Sequence, residues 1–143
     1  MTEPERSGAT DDVELVRPAR PALVELAAAI LIVGGTLQLF SGIATLPSVP
    51  PGAEPFAGLA LALDAASIGS GLLARTGRAW LISLNVAAIL GFLDLLGSGG
   101  SPLLLMLGVA EVAVVALLLA RKPWFDAMSR WRADQTARAR LSP

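Results

Sequence analysis

Four long apolar runs, separated by short polar segments, form the main pattern of the chain. They cover residues 22–46, 56–74, 79–96 and 103–120, so each run holds roughly 18–25 residues. A helix needs about 20 residues to cross a hydrocarbon core about 30 Å thick. The runs are continuous and rich in Leu and Ala, without the alternation of a membrane barrel. The sequence therefore predicts an all-α, polytopic membrane protein with a four-transmembrane-helix bundle over residues 22–120.

The tail before the first run, residues 1–21, is polar and acidic. It lacks the basic start of a secretory signal, and the apolar run that follows is long for a signal peptide. We expect an uncleaved, disordered cytoplasmic tail.

The basic residues indicate how the helices are oriented. They fall before the first run, between the second and third runs, and after the fourth. The two connections at the other end, residues 47–55 and 97–102, contain no Lys or Arg. Because Lys and Arg are retained on the cytoplasmic side, we expect a cytoplasmic (inner) membrane protein with both termini in the cytoplasm.

The segment after the fourth run, residues 121–143, combines aromatic and basic side chains. Its Trp and Met residues recur at helical spacing, with Arg residues between them. This pattern is typical of an amphipathic helix at the membrane interface, where Arg meets anionic lipid. A plain extension of the fourth helix is the alternative. The predicted lipid-interface residues are Trp80, Trp124, Phe125, Trp131, Arg130 and Arg132.

Composition narrows the function classes. The chain is 54% hydrophobic and 16% charged, whereas soluble domains carry about a quarter charged residues. It has no Cys and no His, which excludes disulfides, Cys or His nucleophiles, Cys/His zinc sites and His-ligated haem. No phosphate-binding loop or hydrolase motif is present. With a net charge of −1, we expect no nucleic-acid partner, no cofactor, no metal and no enzymatic activity.

Six polar residues inside or at the edge of the runs are candidates for binding a proton or cation. An acid at the centre of a membrane helix costs about 2.5–3.5 kcal/mol, so it usually faces protein or water. At 1.5 Å per residue, Asp64 and Glu111 lie about 15–16 Å from the basic ends of their helices, near the midplane. Gln38 and Asp94 lie about 22–24 Å from that side. The stepped series is Glu25, Asn85, Glu111, Asp64, Gln38 and Asp94.

Small residues accompany several of these groups. Gln38 and Asp64 share helix faces with Gly, Ala and Ser, so both are expected to point into the bundle. Glu111 has few small neighbours and faces either inward or toward a partner protein. Asn85 and Asp94 are nine residues apart, which places them on opposite faces of one helix. The predicted helix-packing residues are Gly34, Gly35, Ser41, Gly42, Ser67, Gly71 and Gly108.

The two helical hairpins also carry similar sequences. Gly35 and Gln38 in the first hairpin correspond to Gly91 and Asp94 in the second, at an offset of 56 residues. Both hairpins start on the same side, so this similarity would make a parallel 2+2 repeat about an axis along the membrane normal. Chance similarity between Ala- and Leu-rich helices is the alternative.

Two interpretations of the mid-membrane acids stay open. No Lys or Arg lies inside the runs, so desolvation favours the neutral, protonated carboxyls. In one interpretation, Asp64 and Glu111 bind a proton or cation and couple it to transport. In the other, which we favour from sequence alone, the protonated carboxyls only hydrogen-bond between helices.

Two functions of different classes follow. The first is a non-catalytic accessory or assembly subunit of a membrane complex, or a self-associating bundle. Small size, short loops and the lack of catalytic motifs favour it. The second is a small proton- or cation-coupled transporter or channel that uses the mid-membrane carboxylates. Either function implies a larger membrane-protein partner or a homo-oligomer.

Overall fold

The structure, a computed structural model, describes residues 16–141. These residues form five α-helices, and no strand occurs among them. The helices are α1 (Ala22–Thr45), α2 (Glu54–Arg75), α3 (Trp80–Gly97), α4 (Pro102–Ala120) and α5 (Lys122–Leu141). The predicted all-α fold is confirmed. The predicted disorder of the acidic tail concerns mainly residues 1–15, which lie outside the described residues.

Helices α1 to α4 are each long and apolar enough to cross a membrane. Their outer surfaces are apolar too, with Phe40 68% exposed and Phe56 74% exposed. A soluble bundle would carry charged residues on such faces. The fold is therefore that of a multi-pass membrane protein.

Proline and serine mark where two of these helices begin. The Ser101 hydroxyl accepts a hydrogen bond from the Leu104 N–H at 3.4 Å, and Pro102 takes the first position of α4. Pro55 lies in the first turn of α2. Proline suits this turn because its missing N–H would have no partner inside the helix.

The four spanning helices form a closed ring. α1 packs against α2 and α3 against α4, while α1–α4 and α2–α3 contacts close the two seams. Glycine lets the helices of each hairpin approach closely. A Cβ at Gly35 would lie 2.8 Å from the Asp64 carbonyl oxygen, and one at Gly71 would lie 2.9 Å from the Ala28 carbonyl oxygen. In the second hairpin, a Cβ at Gly91 would lie 3.2 Å from the Glu111 Cβ.

The other predicted packing residues differ in how tightly they are held. A Cβ at Gly42 would lie 2.7 Å from the Leu61 side chain, and one at Gly108 would lie 2.9 Å from that of Leu95. Ser67 is fully buried and donates a hydrogen bond to the Leu31 carbonyl oxygen at 2.9 Å.

Gly34 and Ser41 lie in looser surroundings. A Cβ at Gly34 would make an ordinary contact with Leu107 at 3.8 Å. Ser41 lines a cavity rather than a helix contact. Sequence reasoning missed a serine contact at the α2–α3 seam, where the buried Ser83 hydroxyl donates to the Ser70 carbonyl oxygen at 2.9 Å. Hydroxyl bonds of this kind join spanning helices where no water is available.

The turn between α2 and α3 is a Schellman motif. Gly77 has φ +70°, and its N–H donates to the Ala74 carbonyl oxygen while the Arg78 N–H donates to that of Leu73. The next residue but one, Ala79, is left-handed as well, with φ +53°. The turn is thus tightly bent, and its Thr76 and Gly77 carbonyl groups face the fifth helix.

Helix α5 begins at the basic end of the bundle, the end that carries Arg20, Arg75, Arg78 and Arg121. Phe125 is 3% exposed and Met128 is 1% exposed, and Phe125 joins the core that the spanning helices form. The predicted helix after the fourth run is therefore present. Its contact with lipid stays a prediction.

Three of the predicted lipid-interface residues make contacts within the protein. Phe125 is buried, so its expected place at the lipid surface is wrong: α5 turns back and brings the ring into the bundle. Arg132 donates hydrogen bonds to the Gly77 and Thr76 carbonyl oxygens, the latter at 3.1 Å. The Trp80 ring nitrogen donates to the Leu118 carbonyl oxygen at 2.9 Å.

The remaining three residues of that set differ in how far they are exposed. Trp124 is partly buried and meets Phe125 edge to face, with ring centroids 4.9 Å apart. The Arg17 guanidinium lies 5.8 Å from the Trp131 ring. Arg130 is exposed.

Candidate functional site

A cavity of about 550 Å³ lies between the four spanning helices, toward the end opposite the basic one. This central cavity falls within the 300–1,000 Å³ typical of small-ligand pockets. Each helix contributes three residues to its wall. They are Leu37, Gln38 and Ser41 from α1, Ala60, Leu63 and Asp64 from α2, Leu90, Leu93 and Asp94 from α3, and Leu103, Leu104 and Leu107 from α4. None of these described lining residues is basic.

Gln38 and Asp94 join two helices that are not neighbours in the ring. The Gln38 amide nitrogen donates a hydrogen bond to Asp94 Oδ2 across the cavity, from α1 to α3. The sequence placed both residues at about the same depth, and the structure brings them together. Gln38 Oε1 is buried and has no hydrogen-bond partner among residues 16–141. The pair therefore presents an unused acceptor inside the protein.

Asp64 supplies the second carboxyl of the central cavity. Its side chain is 7% exposed and lines the wall one helix away from the Gln38–Asp94 pair. Within the described part of the chain, its carboxyl makes no hydrogen bond or ion pair. Leu61 and Gly42 pack beside it, and the Oδ2 atom would lie 3.9 Å from a Cβ at Gly42. The predicted inward direction of Asp64 matches this position.

Glu111 lies behind the cavity wall and is more deeply buried than Asp64. It is 3% exposed, and its Oε2 atom has no hydrogen-bond partner in the described ranges. Its Cβ lies against Gly91 of α3, the helix that carries Asp94. The sequence left open whether Glu111 faces inward or toward a partner, and the structure places it inside the bundle. Three carboxyl groups therefore share one membrane-buried region.

Two of the six predicted polar candidates lie elsewhere. Asn85 is exposed on the outer face of α3, where its amide donates to the Leu81 carbonyl oxygen at 2.7 Å. Its place on the face opposite Asp94 follows from their spacing of nine residues. Glu25 forms ion pairs with Arg20 and Arg75 at the basic end, the latter at 3.0 Å. Asn85 and Glu25 therefore lie apart from the central cavity. Gln38, Asp64 and Asp94 line it, and Glu111 is buried nearby.

The chemistry of the central cavity is that of hydrogen-bond acceptors in an apolar wall. Carboxylates within a membrane are costly unless a proton or a cation neutralises them. The cavity can therefore hold protons, or exchange a proton for a cation. Among the residues described, no group of three or more acidic side chains is placed to hold a metal ion.

Comparisons with known proteins add no further constraint on this site. No protein-family model, curated protein or solved structure matches the chain.

Proposed function

We propose that this protein is a small membrane transporter that exchanges protons for a cation at the central cavity. The observation that carries this proposal is the pair of carboxyl groups, Asp64 and Asp94, in one cavity of about 550 Å³ inside a spanning bundle. Carboxyls that served only to join helices would have their acceptors used by neighbouring donors. The Asp64 carboxyl accepts no such hydrogen bond from the described residues.

The need to keep the site electrically neutral couples the binding of a cation to the release of a proton. Two ionised carboxylates with no cation would place two negative charges in the membrane, which is strongly unfavourable. The neutral empty site therefore holds two protons. A site that stays neutral when a monovalent cation binds must release one proton. Glu111 is buried and does not line the cavity, so by the same argument it stays protonated throughout and leaves this charge balance unchanged.

The proposed orientation follows the charge distribution. Arg20, Arg75, Arg78 and Arg121 lie at one end of the bundle, which we assign to the cytoplasmic side of a cytoplasmic (inner) membrane. The central cavity then lies nearer the outer side. The exposed Arg residues of α5, Arg130 among them, would face anionic lipid headgroups.

The test is proton movement in proteoliposomes that hold an acidic interior. Na⁺, K⁺, n-butylguanidinium and n-butyltrimethylammonium are added outside in turn. All four stay charged, so none crosses the bilayer as a neutral base. We expect at least one of them to speed collapse of the pH difference in vesicles that contain the protein. Asp64→Asn and Asp94→Asn should each slow this collapse, and the double variant should abolish it.

The matched control is Asp126→Asn. It makes the same chemical change at an exposed residue of α5, where only a surface ion pair with Lys122 is lost. This control should behave as the unmodified protein. The proposal is overturned if the double variant exchanges as fast as the unmodified protein, or if none of the four cations has an effect.

The accessory-subunit hypothesis from the sequence remains the second candidate. The observation that favours it is a groove of about 310 Å³ on the outer face of the α1–α4 seam, lined by apolar residues and Gly34. Native mass of the complex purified in mild detergent tests this candidate. A stoichiometric larger membrane protein would support it, whereas the chain alone or in copies of itself would not.

A further inference from the structure

The wall of the central cavity is apolar over most of its area. Seven of its residues are Leu, and its polar groups are confined to Gln38, Ser41, Asp64 and Asp94. A small metal ion would have to lose water to bind the oxygen atoms of these four side chains, and it would gain nothing from the leucine side chains that form most of the wall. A cation with a hydrocarbon body would instead bury that body against the leucine side chains. The wall therefore favours an organic cation.

The acceptor oxygen atoms of the cavity outnumber its hydrogen-bond donors. One N–H of the Gln38 amide is used on Asp94, and Gln38 Oε1 is buried without a donor among the described residues. The Asp64 carboxyl, 7% exposed, makes no hydrogen bond within residues 16–141. The second Gln38 N–H, the Ser41 hydroxyl and one remaining carboxyl proton are the donors left for these oxygen atoms. The other acceptors need N–H groups that a ligand brings.

We infer that the substrate is a monovalent organic cation whose charged group carries N–H donors on an apolar body, an alkylammonium or alkylguanidinium. This inference rests on the transport function proposed above. The charged group would lie between Asp64 and Asp94, with one N–H directed at Gln38 Oε1. The hydrocarbon body would lie against Leu63, Leu93 and the neighbouring leucines of the wall. Carboxylates bind such groups through charge-assisted hydrogen bonds.

Calorimetric titration of the full-length protein in detergent tests the inference. The probes are n-butylguanidinium and n-butyltrimethylammonium, which share a charge and a butyl chain but differ in N–H donors. We expect n-butylguanidinium to bind about tenfold more tightly or better, since each charge-assisted hydrogen bond contributes about that factor. Unsubstituted guanidinium, which lacks the butyl chain, should bind more weakly than n-butylguanidinium.

Two variants locate the effect. Gln38→Leu should reduce the preference for n-butylguanidinium over n-butyltrimethylammonium, because it removes the unpartnered acceptor. Asp94→Asn should weaken both probes, and Asp126→Asn should weaken neither. Asp94 is less deeply buried than Asp64, so its substitution should disturb folding less. Far-ultraviolet circular dichroism checks that each variant is folded.

The outcomes separate the inference from the proposed function. If both probes bind equally and the vesicle assay still shows carboxyl-dependent exchange, the inference fails and the transport function stands. Tighter binding of Na⁺ or K⁺ than of n-butylguanidinium overturns the inference in the same way. If no cation binds and no exchange occurs, both fail.

Discussion

Substitution of Gly35 by Ala probes the α1–α2 contact that positions Asp64. A Cβ at Gly35 would lie 2.8 Å from the Asp64 carbonyl oxygen and 2.9 Å from the Ser67 Cβ. Ordinary contacts begin at 3.4 Å, so the two helices must separate by about 0.6 Å. Neither neighbouring atom belongs to the far end of a flexible side chain. Overpacking of this kind costs about 1–3 kcal/mol.

Gly69→Ala is the matched control for this substitution. Gly69 lies in the interior of α2, and a Cβ there would meet nothing within 4 Å. Both substitutions gain about 0.8–1.0 kcal/mol of helix propensity, which cancels when the two variants are compared. The expected difference in unfolding free energy is therefore the overpacking cost, about 1–3 kcal/mol, with Gly35→Ala the less stable.

Unfolding by sodium dodecyl sulfate in mixed micelles, followed by circular dichroism, measures this difference. The displaced Asp64 should also weaken cation binding in Gly35→Ala while binding in Gly69→Ala stays unchanged. Equal unfolding free energies in the two variants would refute the close helix contact on which the position of Asp64 depends.

Three further substitutions test the contacts that hold the bundle and α5 together. Arg132→Ala should lower stability by about 1 kcal/mol, because two hydrogen bonds to the α2–α3 turn are lost, whereas the exposed Arg130→Ala should change it by less than about 0.5 kcal/mol. Ser83→Ala should cost about 0.6–1.7 kcal/mol through loss of its bond to the Ser70 carbonyl oxygen. Trp80→Phe, which keeps an aromatic side chain but makes it smaller and removes the indole N–H, should cost at least about 0.5–1.5 kcal/mol. Thermal melting in detergent measures all three, and unchanged midpoints would contradict the corresponding bonds.

The spanning helices could be predicted from sequence because their signal is local. A run of about 20 apolar residues means a membrane helix whatever its neighbours are. The depth of a residue in the membrane can also be predicted from its own helix, because it is counted in residues from the basic end of that helix. That count placed Gln38 level with Asp94, and the structure joins them by a hydrogen bond.

The residues that line the site depend on how each helix is rotated about its axis and on which helices pack beside it. The sequence of a single helix reveals neither. The spacing of nine residues places Asn85 and Asp94 on opposite faces of α3. It does not say which of the two residues faces the inside of the bundle. Gly91 was not recognised as a packing residue, although it lies against Glu111. The place of Phe125 in the core depended on the direction in which α5 leaves α4, and no residue pattern sets that direction.

The number of protons released when a cation binds tests the exchange mechanism most directly. Titration of n-butylguanidinium in two buffers of different ionisation enthalpy gives this number from the difference in measured heat. The account predicts about one proton released for each cation bound, because a neutral site stays neutral. It also predicts no binding to the Asp64→Asn, Asp94→Asn double variant. Binding without proton release, or equal binding to the double variant, would contradict exchange at these carboxyl groups.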